Sequence, residues 1–340
     1  MDGLNRRGLA LGFVGAGALI AALLLLVDVE RVGATLVQAD PGLVGVVLGL
    51  ALLWLLAWSG SLKTVLASMD VQLSTSTSFF VYAAAVFANN VTPFGQAGGE
   101  PVTALIVSKV SETRYETGLV AIASVDVLNV VSSAAVVFFG IGVYTTRFTL
   151  GSSIMAAVGS VVVILIGIVI TFGLGWRYRH GLVDTVSGPI ARGLDRMTIG
   201  PLASRRITEA GVAERMNRFF GNVEVIAEDR QRLAVALALS LLGWLLQAAT
   251  LVAAFAALGY DLSTVVTLFV IPLAYLAGIT PLPGGLGGIE ATFVALLVPT
   301  TGTGAAVVTA SVILFRVATY WMPVAIGGTS AATFGVRVLS

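Results

Sequence analysis

Asn89-Asn90-Val91-Thr92-Pro93-Phe94-Gly95-Gln96-Ala97-Gly98-Gly99-Glu100 is a polar, Gly/Pro-broken stretch set between two apolar runs. It recurs late in the chain as Thr280-Pro281-Leu282-Pro283-Gly284-Gly285-Leu286-Gly287-Gly288-Ile289-Glu290. Both copies pass through Thr-Pro and a set of glycines and end in a glutamate that starts a new apolar segment. Inside lipid each unpaired backbone group costs several kcal/mol, so such breaks survive only where protein or water covers them. Two breaks at corresponding places predict a transporter-like core of paired discontinuous helices.

Composition fixes the class. Of 340 residues 57% are hydrophobic and 11% charged, with mean hydropathy +0.98. A soluble domain carries about 25% charged residues, and several runs here approach the roughly 20 apolar residues that cross a bilayer. This is an all-α, multi-pass integral membrane protein. Cysteine is absent and His180 is the one histidine, which excludes disulfides and thiolate or multi-histidine metal sites. A Ser/His/Asp hydrolase site could form only through His180. No phosphate loop of the Gly-x-x-x-x-Gly-Lys-Ser/Thr type occurs. The sequence points to no cofactor, no metal and no nucleic-acid partner.

Along the chain, an apolar run at 8–27 follows Arg6-Arg7 and reads as a retained first span rather than a cleaved signal. A short acidic connection with Asp28, Glu30 and Asp40 follows, then a span at about 43–58, where Trp54 and Trp58 are expected as interface anchors. Lys63 opens a polar stretch. Phe79–Ala88 would cover only about 15 Å as helix, against a hydrocarbon core of about 30 Å, and Val102–Val107 is shorter. Two half-length pieces around a break read as a re-entrant hairpin, 79–108. Full spans follow at 118–143 and 154–174. The stretch 176–232 holds ten arginines to seven acidic residues. It includes an amphipathic helix at about 207–226, expected along the membrane surface. The chain re-enters at 233–258, makes a second hairpin at 265–298 and ends with a span at 305–326.

The expected architecture is therefore one domain over residues 1–340, with about six full spans and two re-entrant hairpins. Its first half is 1–175 and its second 233–340, with the arginine-rich segment between them. Placing that segment in the cytoplasm by the positive-inside rule also brings Arg6-Arg7, Lys63, Lys109, Arg114 and Arg337 inside. Both termini are then cytoplasmic in the plasma membrane. The hairpins would follow spans of opposite direction, as inverted repeats. Treating the hairpins as pairs of full spans gives the same parity, so charge does not separate the two models; segment length favours hairpins.

Two readings stand for Glu100 and Glu290. Each begins a half-helix, where a carboxylate is favoured by the helix dipole, or each faces a polar cavity, since intramembrane acids are costly and concentrate at functional sites. Arg316, near the middle of the last span, needs a counter-charge, and Glu290 is its natural partner. It forms either a static buried pair or a phosphate-binding fork. Asp126 and Asn129 share one helix face, with Lys109 or Arg114 as possible counter-charges for Asp126. Asn89, Asn90 and Gln96 supply amides at the first break, for broken backbone or for a ligand. Gly95, Gly98, Gly99, Gly284, Gly285, Gly287 and Gly288 permit tight turns and close helix approach.

Pro93 to Pro101, Pro283 to Ala291, and Arg316 with Tyr320 and Pro323 resemble the flippase-like membrane-domain family. That family includes the transmembrane region of lysylphosphatidylglycerol synthases and the UPF0104 proteins. The likeness covers nearly the whole chain. It implies a membrane domain that moves or handles lipid head groups, with membrane lipids as partners and sometimes a lipid-modifying enzyme or glycosyltransferase. It would place a head group among Glu100, Glu290, Arg316, Asn89, Asn90, Gln96, Asp126, Asn129, Lys109 and Tyr320. Many members carry Glu-Arg-x-x-Asp where this chain reads Val125-Asp126-Val127-Leu128-Asn129, so the charge beside Asp126 differs. Two other functions stay open: a membrane-embedded transferase acting on a polyprenyl-linked substrate, and an accessory subunit of a lipid-modifying enzyme. All three are compatible with a homo-oligomer.

Overall fold

Every regular element among the described residues is helical. The computed structural model describes residues 28–92, 96–146, 209–279 and 282–334, with isolated positions at 17 and between 159 and 189. The expected spans at 8–27 and 154–174, the tip residues 93–95 and 280–281, and His180 lie outside the described residues.

Helix α1 is Val29–Val37, where the sequence suggested only a connection. Asp28 starts it by accepting the Arg31 N–H at 3.1 Å, an N-cap that meets one of the unpaired donors of a first turn. Its Val32 packs with Leu258 and Ala310. Helix α2, Pro41–Ser68, starts on the Asp40 cap with proline at its first position. At 28 residues it is about 42 Å long, enough to cross a hydrocarbon core of about 30 Å. It continues past Lys63 to Ser68, into the expected polar stretch. Lys63 is half-buried and its ammonium donates to Thr75 Oγ1 at 2.9 Å.

Helices α3, Thr75–Val91, and α4, Gln96–Val110, flank the first break and pack on each other. Helix α5 is Tyr115–Thr145 and α6 is Glu209–Glu228. Helix α7 is Arg230–Ala257 and α8 is Thr264–Leu276. After α8 come the short 3-10 turns Ala277–Ile279 and Pro283–Gly285, then α9, Gly288–Thr301. The last helix, α10, covers Ala305–Thr333 and widens to a π-turn at Val317–Trp321. Among the described residues five helical segments are long and apolar enough to cross a membrane: α2, α5, α7, Pro283–Thr301 and α10. Four correspond to expected spans, and the fifth lies in the second expected hairpin.

The contacts divide the chain into two units, 1–150 with 231–340, and 151–230. In the second, α6 carries the amphipathic pattern read from the sequence. Ile226 is buried, Met216, Phe219, Phe220 and Val223 are half-buried, and Glu214 pairs with Arg218 one turn on at 3.5 Å.

In the first unit α3 is central, lying against α2, α4 and the second half of α10. Small residues make this possible. Ala83, Ala84, Ala85 and Ala88 are buried, and Gly327 of α10 sits so close to Ala83 that a Cβ would run into its carbonyl. Close backbone approach through small residues is how helices gain contact where lipid removes the hydrophobic drive.

Trp54 and Trp58 correct an expectation. They are core residues, 4% and 8% exposed, rather than interface anchors. The Trp58 indole lies in the notch left by Gly243 of α7 and donates to the Ser240 carbonyl at 3.0 Å. A tryptophan whose N–H has a partner inside the protein does not need the head-group layer. Leu53, Leu56, Phe139, Leu242 and Leu245 are exposed along these helices, the outward apolar surface that lipid solvates.

Candidate functional site

The second break is built by glycine. Gly284, Gly285 and Gly287 have φ of 54°, 66° and 84°, the left-handed region where a side chain is strained. That path turns the Gly287 N–H toward Glu290, whose Oε2 accepts it at 2.6 Å. Glu290 thus closes the first turn of α9, where the helix dipole favours a carboxylate. Its other oxygen, Oε1, accepts from Arg316 Nε at 2.6 Å. Arg316 also donates to the Gly284 carbonyl at 3.4 Å, and its guanidinium lies 4.7 Å from the Tyr320 ring centre. Both charged residues are buried, at 5% for Arg316 and 8% for Glu290. The pairing expected from the sequence is present. Buried charges persist only when paired and hydrogen-bonded, as these are.

The π-turn connects the two breaks. Helices widen this way mostly as single turns, and often at functional sites. Here the Tyr320 hydroxyl donates to the Asn90 carbonyl, at the end of α3, at 3.0 Å. Gly284 backs onto the same residue; a Cβ there would lie 3.1 Å from the Asn90 Cα and carbonyl oxygen. The ends of both broken helices therefore meet, although nearly two hundred residues separate them in sequence.

At the first break Gly99 presses against Asn89 with no room for a Cβ, and the Asn89 Oδ1 is buried without a hydrogen-bond partner. Glu100, half-buried in α4, reaches across to α5, where its carboxyl group faces that of Asp126. The Asp126 Oδ2 is buried and receives no donor in the structure. The counter-charges expected for Asp126 are elsewhere. Lys109 is exposed nine residues beyond Glu100, about 13 Å along the axis, and Arg114 is exposed at the start of α5. Long basic side chains reach water from helix ends at little cost, whereas a short aspartate mid-helix cannot follow them.

Asn129, one turn past Asp126, has a structural place. Its Oδ1 accepts from Ser240 Oγ at 2.5 Å, its carbonyl accepts from Trp244 Nε1 at 3.0 Å, and its side chain meets the Tyr82 hydroxyl. From Tyr82 a line of edge-to-face rings runs toward the other break. Tyr82–Trp58 centroids are 6.4 Å apart, Trp58–Trp244 5.5 Å and Trp244–Tyr275 6.1 Å. Tyr275 in turn lies beside the Arg316 guanidinium. Sequence reasoning missed Trp244 and Tyr275; an aromatic residue with a polar tip in the middle of a span was the available signal.

The structure thus brings Asn90, Gly284, Glu290, Arg316 and Tyr320 together at one break, and Asn89, Gly99, Glu100 and Asp126 at the other. Gly287 and Gly288 open α9 and Gly285 completes the turn before it, while Lys109 stands apart. Gly95 and the side chain of Gln96 lie outside the described residues, and Gly98 is described only as part of α4. Among the described residues no group of three or more His, Cys, Asp or Glu could hold a metal ion.

A family model of the lysylphosphatidylglycerol synthase transmembrane region matches residues 9–327. A UPF0104 membrane protein of Methanothermobacter thermautotrophicus is 27% identical over 348 residues, covering 98% of each chain. A second from the same organism is 25% identical over 345 residues, covering 99% of this chain and 96% of its own. The chain belongs to the lysylphosphatidylglycerol synthase transmembrane-region family.

Proposed function

We propose that this member of the lysylphosphatidylglycerol synthase transmembrane-region family is a lipid translocator. It carries the polar head of a phospholipid or lipid-linked sugar between leaflets while the tails stay in the bilayer. The observation that carries the reading is the Tyr320–Asn90 hydrogen bond, which joins the two helix breaks among membrane-length helices. Broken backbone at membrane depth is tolerated where it lines protein or a water-filled route, and discontinuous helices meeting this way supply such a route in carriers. In this reading the hairpins enter from opposite sides of the membrane, and the arginine-rich 176–232 segment is cytoplasmic.

The two breaks divide the labour. Glu290 and Arg316 hold the second break in shape, and Arg316 keeps guanidinium N–H donors beyond its bonds to Glu290 and Gly284 with which to meet a lipid phosphate. Glu100, Asp126 and Asn89 offer oxygens without a cation and form the polar face of the route. The test is exchange of labelled lipid by purified protein in liposomes, wild type against Glu100→Gln and Glu290→Gln. Leaflet exchange of chemically unchanged lipid, slowed in both variants, supports translocation. A chemically altered lipid would point instead to a transferase, and protein-free exchange rates in the wild type would sink the proposal.

A further inference from the structure

We propose that Glu100 and Asp126 form a proton-binding site, one exchangeable proton held between two carboxyl groups, whose loading is coupled to head-group movement. The coupling rests on the translocation reading; the site itself does not.

Two carboxyl groups that face each other this way can join only through a shared hydrogen, because ionised carboxylates only accept. Among the described residues neither has an ion pair. The ionisable groups that face the pair are Tyr82 of α3, toward Asp126, and Tyr115 at the start of α5, toward Glu100. Neither is a cation. The Asp126 Oδ2 is buried with no hydrogen-bond partner, an acceptor to which nothing else in its surroundings donates. A hydrogen placed on one carboxyl oxygen of the pair supplies the missing donor. Like carboxylates this close are costly to ionise together away from water, which favours holding one proton between them.

The placement provides an exchange path. Both residues are half-buried, but the Asp126 Oδ2 is sealed from solvent and no Glu100 oxygen is, so a proton arriving from water meets Glu100 first. Loading forms one O–H bond, shared as O–H···O, and takes the pair from a charge of −2 to −1. Unloading breaks that bond and returns the proton to water on whichever side the break faces. Because Gly99, the neighbour of Glu100, packs against Asn89, and Asn90 carries the bond from Tyr320, a change in charge at the pair acts directly on the joint between the breaks.

Infrared difference spectra of the purified protein across a pH titration test the site. A protonated-carboxyl C=O band should be present in the wild type, vanish on alkalinisation, and be missing from both Asp126→Asn and Glu100→Gln. A wild type without such a band, or a band that survives both substitutions, overturns the site. Coupling is read in liposomes with and without an imposed pH gradient. Wild-type exchange should change with the gradient, and Asp126→Asn should lose that difference. Wild-type exchange that proceeds identically with and without the gradient overturns the coupling and spares translocation. Absence of any wild-type exchange counts against translocation, and the infrared band then decides the proton site alone.

Discussion

The two helix breaks use the same ingredients, glycines and a glutamate, and end in opposite electrostatic states. At the second, Glu290 spends one oxygen on the Gly287 N–H and the other on Arg316, so its charge is met on both sides. At the first, Glu100 meets another acid, Asp126, and a buried oxygen is left without a donor. A site that satisfies itself is architecture, whereas a site that needs something from outside is where a ligand or a proton acts. The difference assigns shape to the second break and work to the first.

Arg316→Met breaks the comparison hardest. It strands Glu290 as an uncompensated buried charge, with an expected loss of about 3–5 kcal/mol of stability. Thermal unfolding in detergent measures it, and the double variant Glu290→Gln/Arg316→Met should recover much of the loss. If Arg316→Met melts like the wild type, the pair is not architecture. Tyr320→Phe is milder. It removes one hydrogen bond between the breaks, at about 1 kcal/mol, and amide exchange at Asn90 and its neighbours should rise. Asp126→Asn has the smallest effect on stability and the opposite sign. Relieving an acid pair should leave melting unchanged or slightly raised above neutral pH; a fall as large as that of Arg316→Met would make the two breaks equivalent.

Much of this was legible in the residues. Glu290 and Arg316 were paired in advance because opposite charges in apolar sequence must find each other, and the choice of partners was short. Asp126 defeated the same logic, since looking for a counter-charge pointed to Lys109 and Arg114, and both reach water instead. Trp54 and Trp58 were misplaced because interface preference is a statistic over tryptophans, while Gly243, which makes the notch for Trp58, lies far away in sequence. The continuation of α2 past Lys63 and the helix at Val29–Val37 were hidden by charges that Thr75 and the Asp28 cap resolve locally. The meeting of Asn90 with Tyr320 had no sequence signal, because backbone carbonyls carry none.

The widened turn at Val317–Trp321 also sets a rotational phase. Wound as a uniform α-helix, the same residues would swing everything beyond Trp321 by about 100° around the axis, carrying Gly327 off Ala83. The final helix is therefore a crank with its two ends indexed separately, one by a guanidinium and the other by a glycine seat. Release at either end would be transmitted to the other as a twist.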